Sequence, residues 1–491
     1  FNTTIIVRTQ GQAPTAKDVR AVIAHAHGQA LPQYAFRPRI HSYLDSLPKP
    51  GTVVSRTVDQ RLGVTHVTFA NGVRLHIKPL PKRKGTVYLS GLLAGGTVEE
   101  TAKNRGITEL AAAALSEPET PTRRGVDLAR LLNHDRIAVD FGQHRGAVAV
   151  ALATDSDHLE RGLRYLHLVL SHPELSESTR RNFLDFLGNR EQDLDANVGM
   201  RLRLAVLRAR SSDDPRMEYP TRAEVARYSH KKIQRWMDHL VRTAPLELAI
   251  TGDLDVDRTI RLAQRYLGSL HRRGPVAGAF AKLRELPPMH GPVFKDLAVD
   301  SNSDRAAVYV GWQAPDPTDY VKTRALARAA RILDQRLNGV LRVKKGYVYS
   351  ASVGLQDNYA FPGLSQIYAF AVTRPEYAQD VARIMRKTFQ DFAQEGPRPS
   401  ELSTAKRAAR LRLEHSADDV GRWLDLLKDY DYSELPAAAI ILKPKNIPPY
   451  KKEDLRQAVA EAMQPRTFVQ VIVHPRTSGH KGKSGSPNPA S

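Results

Sequence analysis

The sequence predicts an α+β protein built from two copies of one unit, and three observations carry that prediction. GTVYLSGLLAGG at 85–96 and AAVYVGWQAPD at 306–316 both alternate at strand period. An alanine- and leucine-rich helical segment follows each, GITELAAAAL at 106–115 and ALARAARILDQRL at 325–337. A strand pair comes next in both, IAVDFGQHRGAVAVALAT at 137–154 and VYSASVGLQDNYAFPGLSQIYAFAVT at 348–373. The same order of elements occurring twice marks a repeat, which has to be recognised before any motif is interpreted.

The remaining elements follow in order. VTHVTFANGVRLHIKP opens the first copy, and Asn71-Gly72 between alternating apolar residues is a strong hairpin signal. After the strand pair, Leu159, Leu163, Leu166 and Leu170 keep helical spacing in the first copy, as Val381, Ile384, Met385 and Phe392 do in the second. Late in each copy a helix leads to a strand: TRAEVARYSHKKIQRWMDHL to LELAITGD, and KKEDLRQAVAEAMQ to FVQVIVHP.

These assignments give a first domain at 62–272, a proline-rich linker at 273–291 and a second domain at 292–475, each an antiparallel sheet packed with helices. Residues 1–61 do not make a domain of their own. NTTIIVRTQG resembles the closing strand VQVIVHP and PTAKDVRAVIAHAHGQA is one helix, so the stretch is expected to be the terminal strand and helix of a preceding, missing domain plus a linker ending in LPKPG. Phe1 is then either a processed start or the cut edge of something longer. The tail at 476–491 is rich in glycine, serine and proline and is expected to be disordered.

Composition narrows the function classes. At 491 residues, 41% hydrophobic and 25% charged, the chain has the material for at least two cores. No apolar run reaches the roughly 20 residues of a membrane-spanning helix, the best being AVAVALA and AAAIIL, which predicts a soluble chain. The absence of cysteine excludes disulfides, thiolate zinc sites and cysteine nucleophiles, and leaves the compartment open. The formal charge of +21 points to acidic partners. The excess is scattered, however, and KRK at 82–84 and KK at 344–345 are not interleaved with aromatics, which argues against nucleic acid.

FANGVRLHI, the following strand with its Gly-Gly, RGITELAAAAL and LRVKKGYVYSASVG together resemble the pitrilysin/insulinase peptidases, the inverzincins. The likeness is to the C-terminal, non-catalytic half of the tandem bacterial members and covers residues 60–475 in order and spacing. It implies two insulinase-like domains. It also implies a zinc motif H-x-x-E-H on a helix beginning with glycine and an apolar residue. Residues three and four apart share a helical face, so two histidines can hold zinc while the glutamate activates water. With Gly106-Ile107 on that start, Glu109 falls at the first histidine, Ala112 at the glutamate and Ala113 at the second histidine. The motif is degenerate. The family's third ligand is a glutamate on a later helix, a region that here holds Glu191, Asp193 and Asp195, expected to be a solvated helix face.

The same family carries, in a segment like LRVKKGYVYS, an arginine and a tyrosine that hold the substrate backbone and stabilise the tetrahedral intermediate. Arg342 and Tyr349 stand in register with them. Without the resemblance they would be read as a surface ion-pairing arginine and a half-buried strand tyrosine. The resemblance therefore implies no metal in this chain, zinc in a partner half or subunit and a peptide substrate, and it slightly favours an exported or periplasmic setting while leaving the compartment unknown. The first reading is a non-catalytic half, inactive alone, that completes the chamber of a zinc-dependent metalloendopeptidase. The alternative is a purely structural scaffold member of the family, and a third is a binder of nucleic acid or an anionic surface, whose retention would collapse with salt.

Other features are read plainly. His25, His27, His134, His144 and His158 lack ligand spacing joined to carboxylates and are expected on the surface. Gly95-Gly96 lacks the Lys-Ser/Thr of a phosphate loop, no serine sits in a G-x-S-x-G elbow, and FPGLSQIYAF reads as core and chamber wall.

Overall fold

The computed structural model describes residues 15–28, 40–117, 119–144, 146–414, 416 and 418–476. The chain divides into a short unit ending at His41 and a large unit beginning at Ser42. In the short unit, α1 (Ala16–Gly28) realises the expected helix. Its start is fixed by a reciprocal cap, in which Thr15 N–H donates to Asp18 Oδ2 at 2.9 Å and Asp18 N–H donates to Thr15 Oγ1 at 3.2 Å. The strand expected at 2–11 and the tail beyond Arg476 lie outside the described residues.

In the large unit the first sheet comprises β1 (Val53–Asp59), β2 (Val64–Phe69), β3 (Arg74–Pro79), β4 (Thr86–Leu93), β5 (Ala138–His144), β6 (Ala147–Asp155) and β7 (Leu246–Gly252), in the order β1-β2-β3-β7-β4-β6-β5. The second comprises β8 (Val293–Val299), β9 (Ala306–Gln313), β10 (Val348–Gln356), β11 (Gln366–Thr373) and β12 (Val469–Pro475), in the order β10-β11-β9-β12-β8. Without β1 and β2 the two orders match strand for strand, so the repeat read in the sequence is a repeat of topology. Each sheet is antiparallel apart from one parallel pair, β3 with β7 and β8 with β12. The Asn71-Gly72 turn joins β2 to β3 as expected, with Gly72 at φ 90°. β1 lies in the stretch read as linker. It is an edge strand with mostly exposed side chains, so no apolar alternation announces it.

Helices fill in between. The first copy carries α2 (Ile107–Ser116), α3 (Gly125–His134), α4 (Leu159–Ser171), α5 (Glu177–Ala196), α6 (Val198–Arg210), α7 (Arg222–Ala226), α8 (His230–Thr243) and α9 (Val256–Tyr266). The second carries α10 (Tyr320–Asn338), α11 (Ala378–Glu395), α12 (Pro399–Glu414), α13 (Val420–Leu427) and α14 (Lys452–Ala462). Leu326 and Leu333 of α10 and Phe389 and Phe392 of α11 pack with Trp312 of β9 in the second core, Trp312 and Phe389 meeting at 4.9 Å between ring centroids.

The two copies exchange one helix each. Leu202, Ala205, Val206 and Ala209 of α6 pack on Ala307, Tyr309, Val469 and Val471 of the second sheet. Trp423 and Leu427 of α13 pack on Val64 and Ala249 of the first sheet, where Lys78 Nζ lies 4.4 Å from the Trp423 ring centroid. The helices occupy equivalent places in their copies, each following the long helix α5 or α12. Their exchange covers both faces of the central strands, which is why LELAITG and VQVIV are buried along their length and read as near-continuous apolar runs.

Candidate functional site

The stretch aligned above with the zinc motif, Glu109, Ala112 and Ala113, lies on α2. Gly106 adopts φ 80°, and a Cβ there would lie 2.5 Å from Pro220 Cβ, so the entry to the helix requires glycine. The buried Glu100 carboxylate accepts from the N–H groups of Gly106 at 2.9 Å and Thr108 at 2.8 Å, satisfying the helix start. Burial pushes this carboxyl above the usual range against those hydrogen bonds. Ala112 is buried and Ala113 half-buried, and neither carries a donor atom. Glu109 pairs with Arg190 of α5 at 2.8 Å. Arg190 is itself held by the Pro220 carbonyl at 3.1 Å and lies 5.2 Å from the Phe186 ring and 5.0 Å from the Tyr219 ring. Of the later carboxylates, Asp193 and Asp195 are exposed and Glu191 accepts from the Arg222 N–H at 2.5 Å.

Arg342 and Tyr349 come together in the second copy. α10 continues into a π-helical turn, Gly339–Lys344, that closes onto β10 through Tyr347 N–H donating to Leu341 O at 2.9 Å. Leu341 and Val348 are anchored in the second core and Tyr347 packs against it, while residues 342–346 between them are exposed. The turn leaves the Arg342 guanidinium carbon 5.6 Å from the Tyr349 ring centroid, and Tyr349 is 88% exposed. Tyr349 is thus presented rather than half-buried, and Arg342 enters none of the ion pairs found among the described residues. The irregular register between Val348 and Ala351 lets the tyrosine leave the regular pleat.

A second polar cluster, missed in the sequence, crosses the first sheet. His66 and His76 are paired across β2 and β3 with Nδ1 atoms 2.7 Å apart, and His76 Nε2 lies 2.7 Å from Glu247 Oε1. Glu247 also accepts from the N–H groups of Asp431 at 2.6 Å and Tyr432 at 3.0 Å. Asp431 pairs with Arg74 at 2.5 Å, and the Tyr430 ring stacks on His66. Among the described residues, His76, Glu247 and Asp431 are the one group near enough to share a metal ion, with ligand atoms within 4.8 Å of one another. Both His76 nitrogens and both Glu247 oxygens already have protein partners, so the cluster acts as a tether. It fixes the strap after α13 to the first sheet. Spacing could not disclose it, because its members come from residues 66, 76, 247 and 431.

The tether has a pH signature. Burial, then His76 and Arg74, pushes His66 down to about 4, while Asp431 and Asp59 act in the opposite direction. The unfolded chain takes up a proton near its ordinary value of about 6.5, whereas the folded chain resists until about 4. Stability is therefore fully present above pH 6.5 and is lost as pH falls through the window from 6.5 to 4. Urea unfolding at pH 7 and pH 5 should show this loss, and His66→Gln should reduce it.

The histidines expected at the surface divide. His134 is exposed beside Asp135, at 3.0 Å. His144 and His158 are only partly exposed and face Asp429 at 3.9 Å and Asp155 at 2.7 Å, a correction caused by strand and helix packing that brings carboxylates to them. His25 is exposed on α1, and the side chain of His27 lies outside the described residues. No helix among the described residues is long and apolar enough to cross a membrane.

Comparison with known proteins bears on this geometry. Residues 227–409 match the family described as "Peptidase M16 inactive domain". The chain is 20% identical over 448 residues to the chloroplastic stromal processing peptidase of Arabidopsis thaliana, covering 79% of this chain and 35% of that one. Among solved structures, the periplasmic protease PqqL of Escherichia coli superposes with a TM-score of 0.74 at 16% identity, over 94% of this chain and 51% of that one. The peptidase M16 inactive domain of Pseudomonas fluorescens superposes with a TM-score of 0.72 at 16% identity, over 84% of this chain and 98% of that one. The chain thus spans about a third of the curated relative and about half of the Escherichia coli protease.

Proposed function

We propose, from the match of residues 227–409 to the family described as "Peptidase M16 inactive domain", that this chain is the non-catalytic half of a zinc metallopeptidase. It completes a peptide-cleaving chamber with a half or subunit that bears the zinc. Arg342 and Tyr349 project into that chamber and bind the substrate backbone. The observation that carries this reading is the exposed Arg342–Tyr349 pair, stacked at 5.6 Å and held out by a turn whose flanks are buried. A planar guanidinium offers a fixed fork of N–H donors and a phenol offers an O–H donor, both suited to a peptide carbonyl whose oxygen gains charge.

The α2 site does not suit zinc, and no step of the mechanism passes through it. Two of its three motif positions are alanines, and the Glu109 carboxylate is engaged by Arg190. One free carboxylate would fall short of the usual three protein ligands in any case. Metal analysis of the purified, dialysed chain should accordingly find no zinc retained at this helix. A zinc ion held tightly and lost in Glu109→Ala would contradict the proposal.

Reconstitution tests the whole reading. Mixed with a zinc-bearing M16 half, the chain should generate peptidase activity that neither component shows alone. Assembly without any gain in cleavage would assign it the scaffold role.

A further inference from the structure

Two adjoining cavities of about 420 and 320 Å³ form one groove between α10 and α12, bordered by the strap that follows α13. Arg324, Arg328 and Arg412 line both, and Arg331 lines the larger. Arg324, Arg328 and Arg331 stand at i, i+4 and i+7, one face of α10. On α12 the lining positions include Ala405, Ala408, Ala409 and Arg412, again at helical spacing. The alanines leave open a space that longer side chains would fill. The helices are clamped where the last turn of α10 meets the first turn of α12, through Arg336 and Glu401 at 2.6 Å.

Arg324 and Arg328 are half-buried, 5.1 and 4.5 Å from the Tyr320 and Tyr450 ring centroids, while Arg331 and Arg412 are exposed. None of the four enters an ion pair among the described residues, and the residues outside these include no aspartate or glutamate to supply one. Asp334, the carboxylate in the lining, accepts from the Val353 N–H at 2.9 Å. Arg422, a fifth arginine at the strap, is by contrast satisfied by Ser416 and by the Ile441 carbonyl at 2.5 Å. Burial, with Arg328 acting in the same direction, holds the Arg324 guanidinium below its ordinary value. Like charges facing a cleft with low-dielectric walls concentrate positive potential there, and one carboxylate already engaged by the backbone does not balance four.

We propose that this groove binds an acidic peptide segment, its carboxylates paired with the arginines and its apolar side chains on the alanine and isoleucine floor. Each guanidinium presents a planar fork that can hold a carboxylate through two hydrogen bonds. Arg324 and Arg331 stand about 10 Å apart along the helix. Carboxylates three residues apart on an extended peptide, at about 3.3 Å per residue, match that distance. The floor, with Ile332 and Ile441, offers contact to apolar side chains, and no aromatic ring lines the groove on which a base could stack. A peptide uses both features, whereas a nucleic acid or polyphosphate would use only the charge. The inference needs this chain alone and does not rest on the peptidase reading.

Calorimetric titration of the full chain at physiological salt tests it with N-acetyl-Glu-Leu-Ala-Glu-Leu-Ala-Glu-amide, its glutamine counterpart, tripolyphosphate and oligodeoxythymidylate. The glutamate peptide should bind at least tenfold tighter than the glutamine peptide and tighter than either polyanion. Arg331→Gln combined with Arg412→Gln should weaken it at least tenfold, with the melting temperature unchanged or raised because repulsion is relieved. Ala408→Trp, at an exposed groove-lining position that leaves every arginine in place, should abolish binding independently. Arg407→Gln combined with Arg410→Gln removes the same charge from exposed positions of α12 outside the groove lining and should leave binding unchanged. Equal binding of the two peptides, equal or tighter binding of either polyanion, full binding by the Ala408→Trp protein, or the same loss from both double variants would overturn the proposal.

Discussion

Replacing Arg342 by alanine is expected to lower kcat/KM of the reconstituted peptidase by roughly 10²- to 10³-fold, the range found when a donor to a developing oxyanion is removed. The side chain is exposed, stacked on Tyr349 and anchored only through its backbone, so its loss should not disturb the second core. Assembly with the zinc-bearing half should survive, and size-exclusion chromatography run beside the kinetics separates the two effects. Arg342→Lys should recover only part of the rate, since an ammonium keeps the charge and loses the planar fork. Tyr349→Phe should cost less, because the ring on which the guanidinium stacks remains. Variants that assemble normally and cleave at the wild-type rate would remove the catalytic-partner role and leave the scaffold.

The second large effect is on stability. Glu247 is fully buried, and its two oxygens take hydrogen bonds from His76, Asp431 and Tyr432. Glu247→Leu should therefore cost about 3–5 kcal/mol, the range for stripping one partner from a buried charged network. The loss comes mostly from leaving a ring nitrogen and backbone N–H groups buried without acceptors. Because the released strap follows α13, unfolding should begin there. Trp423 on α13 then reports an earlier urea transition than Trp312 in the second core, where wild type shows coincident ones. Glu191→Gln, at a partly exposed carboxylate, is the matched control and should shift the midpoint little. A Glu247→Leu protein within about 0.5 kcal/mol of wild type, the range of ordinary surface changes, would show that the tether is not what joins the strap to the sheet.

What the sequence determined by itself was local and periodic. Alternation placed β4 and β9, helical spacing placed α4 and α11, and Asn71-Gly72 placed a hairpin, because each depends on residues a few positions apart. The order of these elements was enough to reveal the repeat, and the resemblance alone supplied the reading of 109, 112 and 113 as motif positions without their ligands. Tertiary structure alone decided the rest. An amphipathic helix declares that it has an apolar face but not which sheet will cover it, so the exchange of α6 and α13 between the two copies was invisible. Spacing likewise could not say that Arg190 would occupy Glu109, or that His66, His76, Glu247 and Asp431 would meet. Nor could it separate Arg210 from the other arginines of α6. Pairing and burial of charge depend on which distant segments pack together, and the chain's net charge carries no record of which guanidinium groups end up buried against carbonyl oxygens, as Arg210 and Arg273 do.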